Sequence, residues 1–150
     1  MTPTLDPQGG RFRIRQADGA DGRAIRSLVT EAVLAAGFDA PTMEHDGDLV
    51  DLSYYREPGR GLWVAVSDDD TIVGCAAIDR GEAGNAILRR LAGVALPELT
   101  AAAVAFAQGR GYAGVETVLP AAMAEARAAV VAEGFSSPDA ANDLLYRKAL

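Results

Sequence analysis

The chain has 150 residues and 15.6 kDa, the size of one ordinary domain. Apolar residues make up 49% and charged ones 23%, so the chain folds around a core. With 21 acidic against 14 basic side chains the net charge is −7, which excludes a general nucleic-acid binder, because phosphate neutralisation needs clustered positive charge.

The lone Cys75 has no internal disulfide partner, and one cysteine with one histidine, His45, does not make a zinc site. No 18-residue apolar run is present and Met1–Gly10 lacks a basic-then-apolar signal, so a cytoplasmic protein with no membrane and no metal partner is expected. Met1–Gly10, with Pro3, Pro7 and paired glycines, is expected to be a flexible leader, and 11–150 a single domain.

Arg11–Arg15 alternates polar and apolar residues, the period of a half-buried strand. Asp18 and Asp21 offer N-caps to a helix carrying Ile25, Leu28, Val29, Ala32 and Val33 and ending near Gly37. An acidic stretch follows, with Asp39, Glu44, Asp46, Asp48 and Asp51. Its second half, Gly47–Tyr55, predicts a short helix with Leu49, Leu52 and Tyr55 inward. Leu62–Val66 and Thr71–Ile78 are strands joined by an Asp68–Asp70 hairpin turn, and Gly81–Gly84 turns into a third strand, Ala86–Val94. Pro97 and Glu98 suit the first turn of an alanine-rich helix through Leu99–Ala107 that Gly109 and Gly111 stop. Val115–Leu119 is a strand, Pro120–Glu133 a helix stopped by Gly134, and Leu144–Arg147 a last strand. The order β-α-α-β-β-β-α-β-α-β predicts a mixed α/β sheet with helices on both faces. Adjacent strands without intervening helices exclude a pure Rossmann sheet.

Four stretches in this order resemble the Gcn5-related N-acetyltransferases. They are Ile14–Asp18 entering the first helix, Leu62–Val66 with Ile72–Gly74 across the aspartate hairpin, Phe106–Tyr112 closing the central helix, and Gly134–Phe135. The resemblance covers residues 11–148. It implies the acyl-CoA N-acyltransferase fold, acetyl-CoA as co-substrate, and transfer of an acetyl or acyl group to a small or peptide amine. It also implies donor contacts at Leu91, Gly93, Val94, Pro97 and Leu99. The family cradles the pyrophosphate in an Arg/Gln-x-x-Gly-x-Gly/Ala loop at a helix start. Here Val94–Leu99 is shorter and holds no glycine, arginine or glutamine. The pattern recurs at Arg56–Gly61 and Gln108–Ala113, both in turn contexts that a phosphate cradle does not use.

The family's tyrosine acid falls near Val130. Glu82 and Glu116 are the nearest carboxylates for a base, while Asn85, Arg89 and Arg90 are the polar groups of the central strand, whose alternation sends one arginine toward the cleft. Asp46, Asp48, Asp51 and Tyr55 are expected to rim the acceptor site and attract a cationic amine. His45 among acids would hold its proton too tightly for a base near neutrality. Trp63, Tyr54 and Tyr55 either wall a pocket or pack the core. The alternative to an active transferase is a degenerate binding or partner subunit, as a homodimer or paired with an intact relative. Of 30 alanines, 13 lie within 101–132, where related enzymes keep functional side chains.

Overall fold

The computed structural model describes residues 4–5, 11–39, 46–137 and 144–150. Seven strands stand side by side in chain order: β1 (Thr4–Leu5), β2 (Arg11–Gln16), β3 (Gly61–Ser67), β4 (Ile72–Arg80), β5 (Asn85–Gly93), β6 (Gly114–Val118) and β7 (Leu145–Ala149). All neighbours are antiparallel except β5 and β6, which run parallel because a helix returns the chain between them. The helices are α1 (Gly22–Ala35), α2 (Gly47–Val50), α3 (Leu96–Gly109) and α4 (Ala124–Ala132), with 3-10 turns at Gly19–Asp21 and Leu52–Arg56.

The sheet divides two cores. Ile25, Val29, Leu49, Leu52 and Tyr55 from the α1–α2 side pack on Val64, Val66, Cys75 and Ala77. On the other face Phe12, Ile14, Trp63, Ile78 and Leu88 pack under Leu99, Ala103, Val104 and Ala107 of α3 and Val130 of α4. The alternation in β2 is as expected: Phe12 and Ile14 are buried, while Arg13 and Arg15 pair with Asp70 and Asp21 at 3.0 and 2.8 Å. Trp63 is a core residue, edge-on to Phe106.

Thr4 and Leu5, within the expected leader, pair with Phe12 and Arg11. The central helix starts at Leu96, with Pro97 and Glu98 in its first turn as expected. The last helix begins late, at Ala124, because Leu119 is still extended and bonded to the Leu144 carbonyl and Pro120–Met123 closes a turn first. Among the described residues no helix is long and apolar enough to cross a membrane.

Candidate functional site: a cleft where two parallel strands part

β5 and β6 pair only through Asn85–Gly114, Ala86–Val115 and Ile87–Glu116. Beyond that the strands diverge, held at the fork by the Thr117 hydroxyl donating to the Leu88 carbonyl at 2.9 Å. The rest of β5 therefore runs on with its backbone edge facing a cleft rather than a neighbouring strand. Its fork-side lobe, of about 420 Å³, lies between α1, β5 and β6 and includes Val33, Arg89, Leu91, Glu116, Thr117 and Met123 in its walls. A second lobe of about 510 Å³ shares Ala32, Leu91, Ala92 and Met123 with the first and reaches the start of α3 and α4.

A bulge in β5 shapes this edge. Ala77 faces Arg89 and Cys75 faces Ala92, so Arg90 and Leu91 together oppose Ala76. Arg90 takes a left-handed backbone with φ of 59°. Its side chain turns under α2, where Nη2 and Nε donate to the Asp48 carboxylate at 2.6 and 3.2 Å and Nη1 to Asp46 at 3.2 Å. The side chains of Arg90, Asp46 and Asp48 are only 7%, 6% and 7% exposed. The Tyr55 hydroxyl also donates to Asp48. Burial works against the Asp48 charge, but the hydrogen bonds from Arg90 and Tyr55 outweigh it and hold the carboxyl below its ordinary range. Burial, reinforced by Asp48, pushes the Tyr55 phenol well up.

A second network adjoins the first. Asp79 accepts from the Tyr54 hydroxyl, from Arg60 Nε at 2.8 Å and from Arg89 at 3.1 Å, and the Arg60 guanidinium lies 4.0 Å over the Tyr54 ring. Burial raises the Asp79 carboxyl, but those hydrogen bonds prevail and keep it low.

The expected acidic rim is thus corrected. Asp46 and Asp48 are turned inward as the counter-charges of Arg90, Tyr55 is core, and only Asp51 is exposed, where it accepts from the Ser53 amide. Arg89 and Arg90 do not alternate faces, because the extra bulge residue sends both toward Asp48. Of the expected donor contacts, Leu91 lines both lobes and Gly93 the second. Val94 is held by its amide to the Val73 carbonyl, Pro97 is exposed and lines neither lobe, and Leu99 is closed in the core beside Gly74. Val130 is fully buried. Glu116 stands at the fork, paired with Arg147 at 2.8 Å and with Asn85, while Glu82 is exposed in its turn. Arg56–Gly61 leads into β3 and Gln108–Ala113 ends α3, both around left-handed glycines. Glu44 and His45 lie outside the described residues.

Sequence reasoning missed Asp79 and Arg60. The one available signal is a charged pair, Asp79–Arg80, ending an otherwise apolar strand.

No family model matches the chain, and no curated protein does. Solved structures do. A GNAT-family acetyltransferase from Staphylococcus aureus Mu50 superposes with a TM-score of 0.80 at 12% identity, covering 93% of this chain and 99% of that one. An acetyltransferase from Streptococcus agalactiae 2603 gives 0.79 at 14% identity, over 93% and 98%. A phosphinothricin acetyltransferase of the GNAT superfamily from Sinorhizobium meliloti, solved with acetyl-CoA, gives 0.74 at 18%, over 93% and 88%. The chain has the fold of the GNAT acetyltransferases.

Proposed function

We propose that the chain transfers the acyl group of a thioester to an amine in the cleft between β5 and β6. The observation that carries this reading is the divergence of β5 from β6 beyond Ile87 and Glu116, with the Arg90 bulge placed along the freed edge. A freed strand edge offers hydrogen bonds to an amide-rich chain laid beside it, as an added strand would. Acetyl-CoA is the donor that the fold family implies, and the residues here suit one half of it. The fork-side lobe, with its apolar walls and open edge, suits an acyl-pantetheine arm. The start of α3 does not suit a pyrophosphate. Ala95 and Leu96 are buried there, Pro97 removes an N–H donor, and Glu98 brings negative charge into the first turn.

On the acceptor side, Glu116 is the carboxylate among the described residues lining the fork-side lobe, and an incoming ammonium would meet it first. The test is calorimetric titration of acetyl thioesters, followed by an amine panel read by thiol release. Binding with amine-dependent thiol release supports the reading; no binding of any acetyl thioester at millimolar concentration refutes it. The second reading, a binding or partner subunit without turnover, is favoured by Val130 at the position of the family's acid and by the pairing of Glu116 with Arg147. It predicts binding without thiol release.

A further inference from the structure

Resting on that reading, we infer that the donor is recognised through its acyl and pantetheine portions alone, as a thioester without a nucleotide diphosphate. The two lobes form one groove, since they share Ala32, Leu91, Ala92 and Met123, so a chain laid along β5 from the fork runs into the second lobe. That lobe is where a diphosphate would have to sit, and its chemistry opposes one. The charged side chains among its described lining residues are Glu31 of α1 and Glu125 of α4, both exposed at its mouth.

Three helix ends meet there. The C-terminal turn of α1, with Ala35 and Ala36, presents the negative end of its dipole. The starts of α3 and α4 carry the positive ends, but each has a glutamate in its first turn, Glu98 and Glu125. A helix start that binds phosphate needs open N–H groups and no competing carboxylate.

Four arginines on the elements around the groove are engaged elsewhere. Arg127 of α4 donates to the Leu119 carbonyl through Nε and Nη2, at 2.9 and 2.7 Å. Arg26 of α1 donates to the Leu49 carbonyl at 3.1 Å. Arg89 bonds Asp79 and Arg90 bonds Asp46 and Asp48. The stretches outside the described residues, 1–3, 6–10, 40–45 and 138–143, contain neither lysine nor arginine, so they bring no such cation to the lobe. A neutral pantetheine tail meets no like charge in this lobe, whereas a diphosphate meets two carboxylates and a helix C-terminus.

In the transfer itself the amine reacts uncharged, the incoming ammonium having first given one proton to solvent water. Its nitrogen lone pair forms the C–N bond to the thioester carbonyl carbon, and the C–S bond breaks. The sulfur departs as a thiolate and takes up the proton that the nitrogen sheds. The products are an amide and a pantetheine-type thiol.

The experiment compares S-acetyl-pantetheine with acetyl-CoA on the full chain, by calorimetry and by amine-dependent thiol release, in the natural chain and in a Glu31→Lys/Glu125→Lys variant. The expected result is binding of S-acetyl-pantetheine at least as tight as that of acetyl-CoA. Reversing both charges should narrow or invert the ratio of the two dissociation constants by about tenfold in favour of acetyl-CoA. Tighter binding of acetyl-CoA by the natural chain, or a ratio that the variant does not move, overturns the donor assignment and leaves acyl transfer standing. If neither thioester binds at millimolar concentration, the acyl-transfer reading falls and the donor assignment with it.

Discussion

Replacing Arg90 is the sharpest test of how the cleft is held open. The arginine is buried, its guanidinium is shared between Asp46 and Asp48, and its backbone sits at φ 59° in the bulge that frees the β5 edge. Arg90→Ala leaves two inward carboxylates without their cation, and breaking a buried pair from one side costs about 3–5 kcal/mol. For a chain of this size that is a fall in Tm of about 6–20 °C. Arg90→Gly breaks the same pairs but relieves the left-handed backbone, so it should be the milder change by about 1 kcal/mol. Removing Asp48 as well takes away one stranded charge. The double variant Arg90→Ala/Asp48→Ala should therefore be more stable than the sum of the single variants by about 2 kcal/mol. Urea unfolding at neutral pH, read as a midpoint at constant slope, measures the natural chain and the four variants, Asp48→Ala alone included. A cost below about 1 kcal/mol for Arg90→Ala, or additive single changes, would refute the picture of a desolvated clamp.

Acid should unfold the natural chain through Asp21, Asp48 and Asp79. Arg15 and the Asp18 amide hold the first below its ordinary 3.8, as the Arg90 and Asp79 networks do the others. A carboxyl whose pKa is lower in the folded state contributes fully above its unfolded value and loses that contribution as pH falls through the folded one. The urea midpoint should thus stay level from about pH 7 to 5 and drop steeply below about 4, whereas in Arg90→Ala it should rise as pH falls toward 5, since stranded carboxylates then take up protons. Gly74 and Gly93 face each other across β4 and β5, and a methyl on either would press into a backbone carbonyl, of Val94 or Val73. Gly74→Ala should cost about 1–3 kcal/mol, and Gly93→Ala about 1–2 more because its φ is 90°, both readable from thermal melts. Cys75 is fully buried and its thiol is pushed up to about 12 by that burial, so a disulfide reagent should leave it untouched in native buffer and modify it fully in denaturing urea.

The fold was legible wherever a side-chain period maps onto one surface. Phe12 and Ile14 in β2, and Leu49, Leu52 and Tyr55 over two short turns, repeat at spacings that only one backbone satisfies, and all five are buried. The fork was less legible, because strand divergence is a matter of register between Ile87 and Glu116, residues 29 positions apart by number. The acidic segment misled for a specific reason. Composition shows Asp46 and Asp48 as unbalanced charge, and their counter-ion, Arg90, lies 44 and 42 residues downstream. Alternation also fails at that arginine, since one bulged residue reverses the side that every following side chain takes.

The two halves of the groove have separate physical origins, and that separation makes sense of the chain's charge pattern. The fork-side half depends on strand geometry: the short β5–β6 ladder, the bulge and the ion pairs that tie Arg90 to α2. The far half depends on what stands at three helix ends, and none of those groups is needed for the sheet to part. Changing a helix start from phosphate-binding to phosphate-repelling therefore leaves the fork intact. Glu98 and Glu125 lie outside the buried core, so such changes need not disturb its packing. On the proposed reading, the strand fork recognises the acyl arm and the acids at the helix starts select the carrier to which that arm is attached.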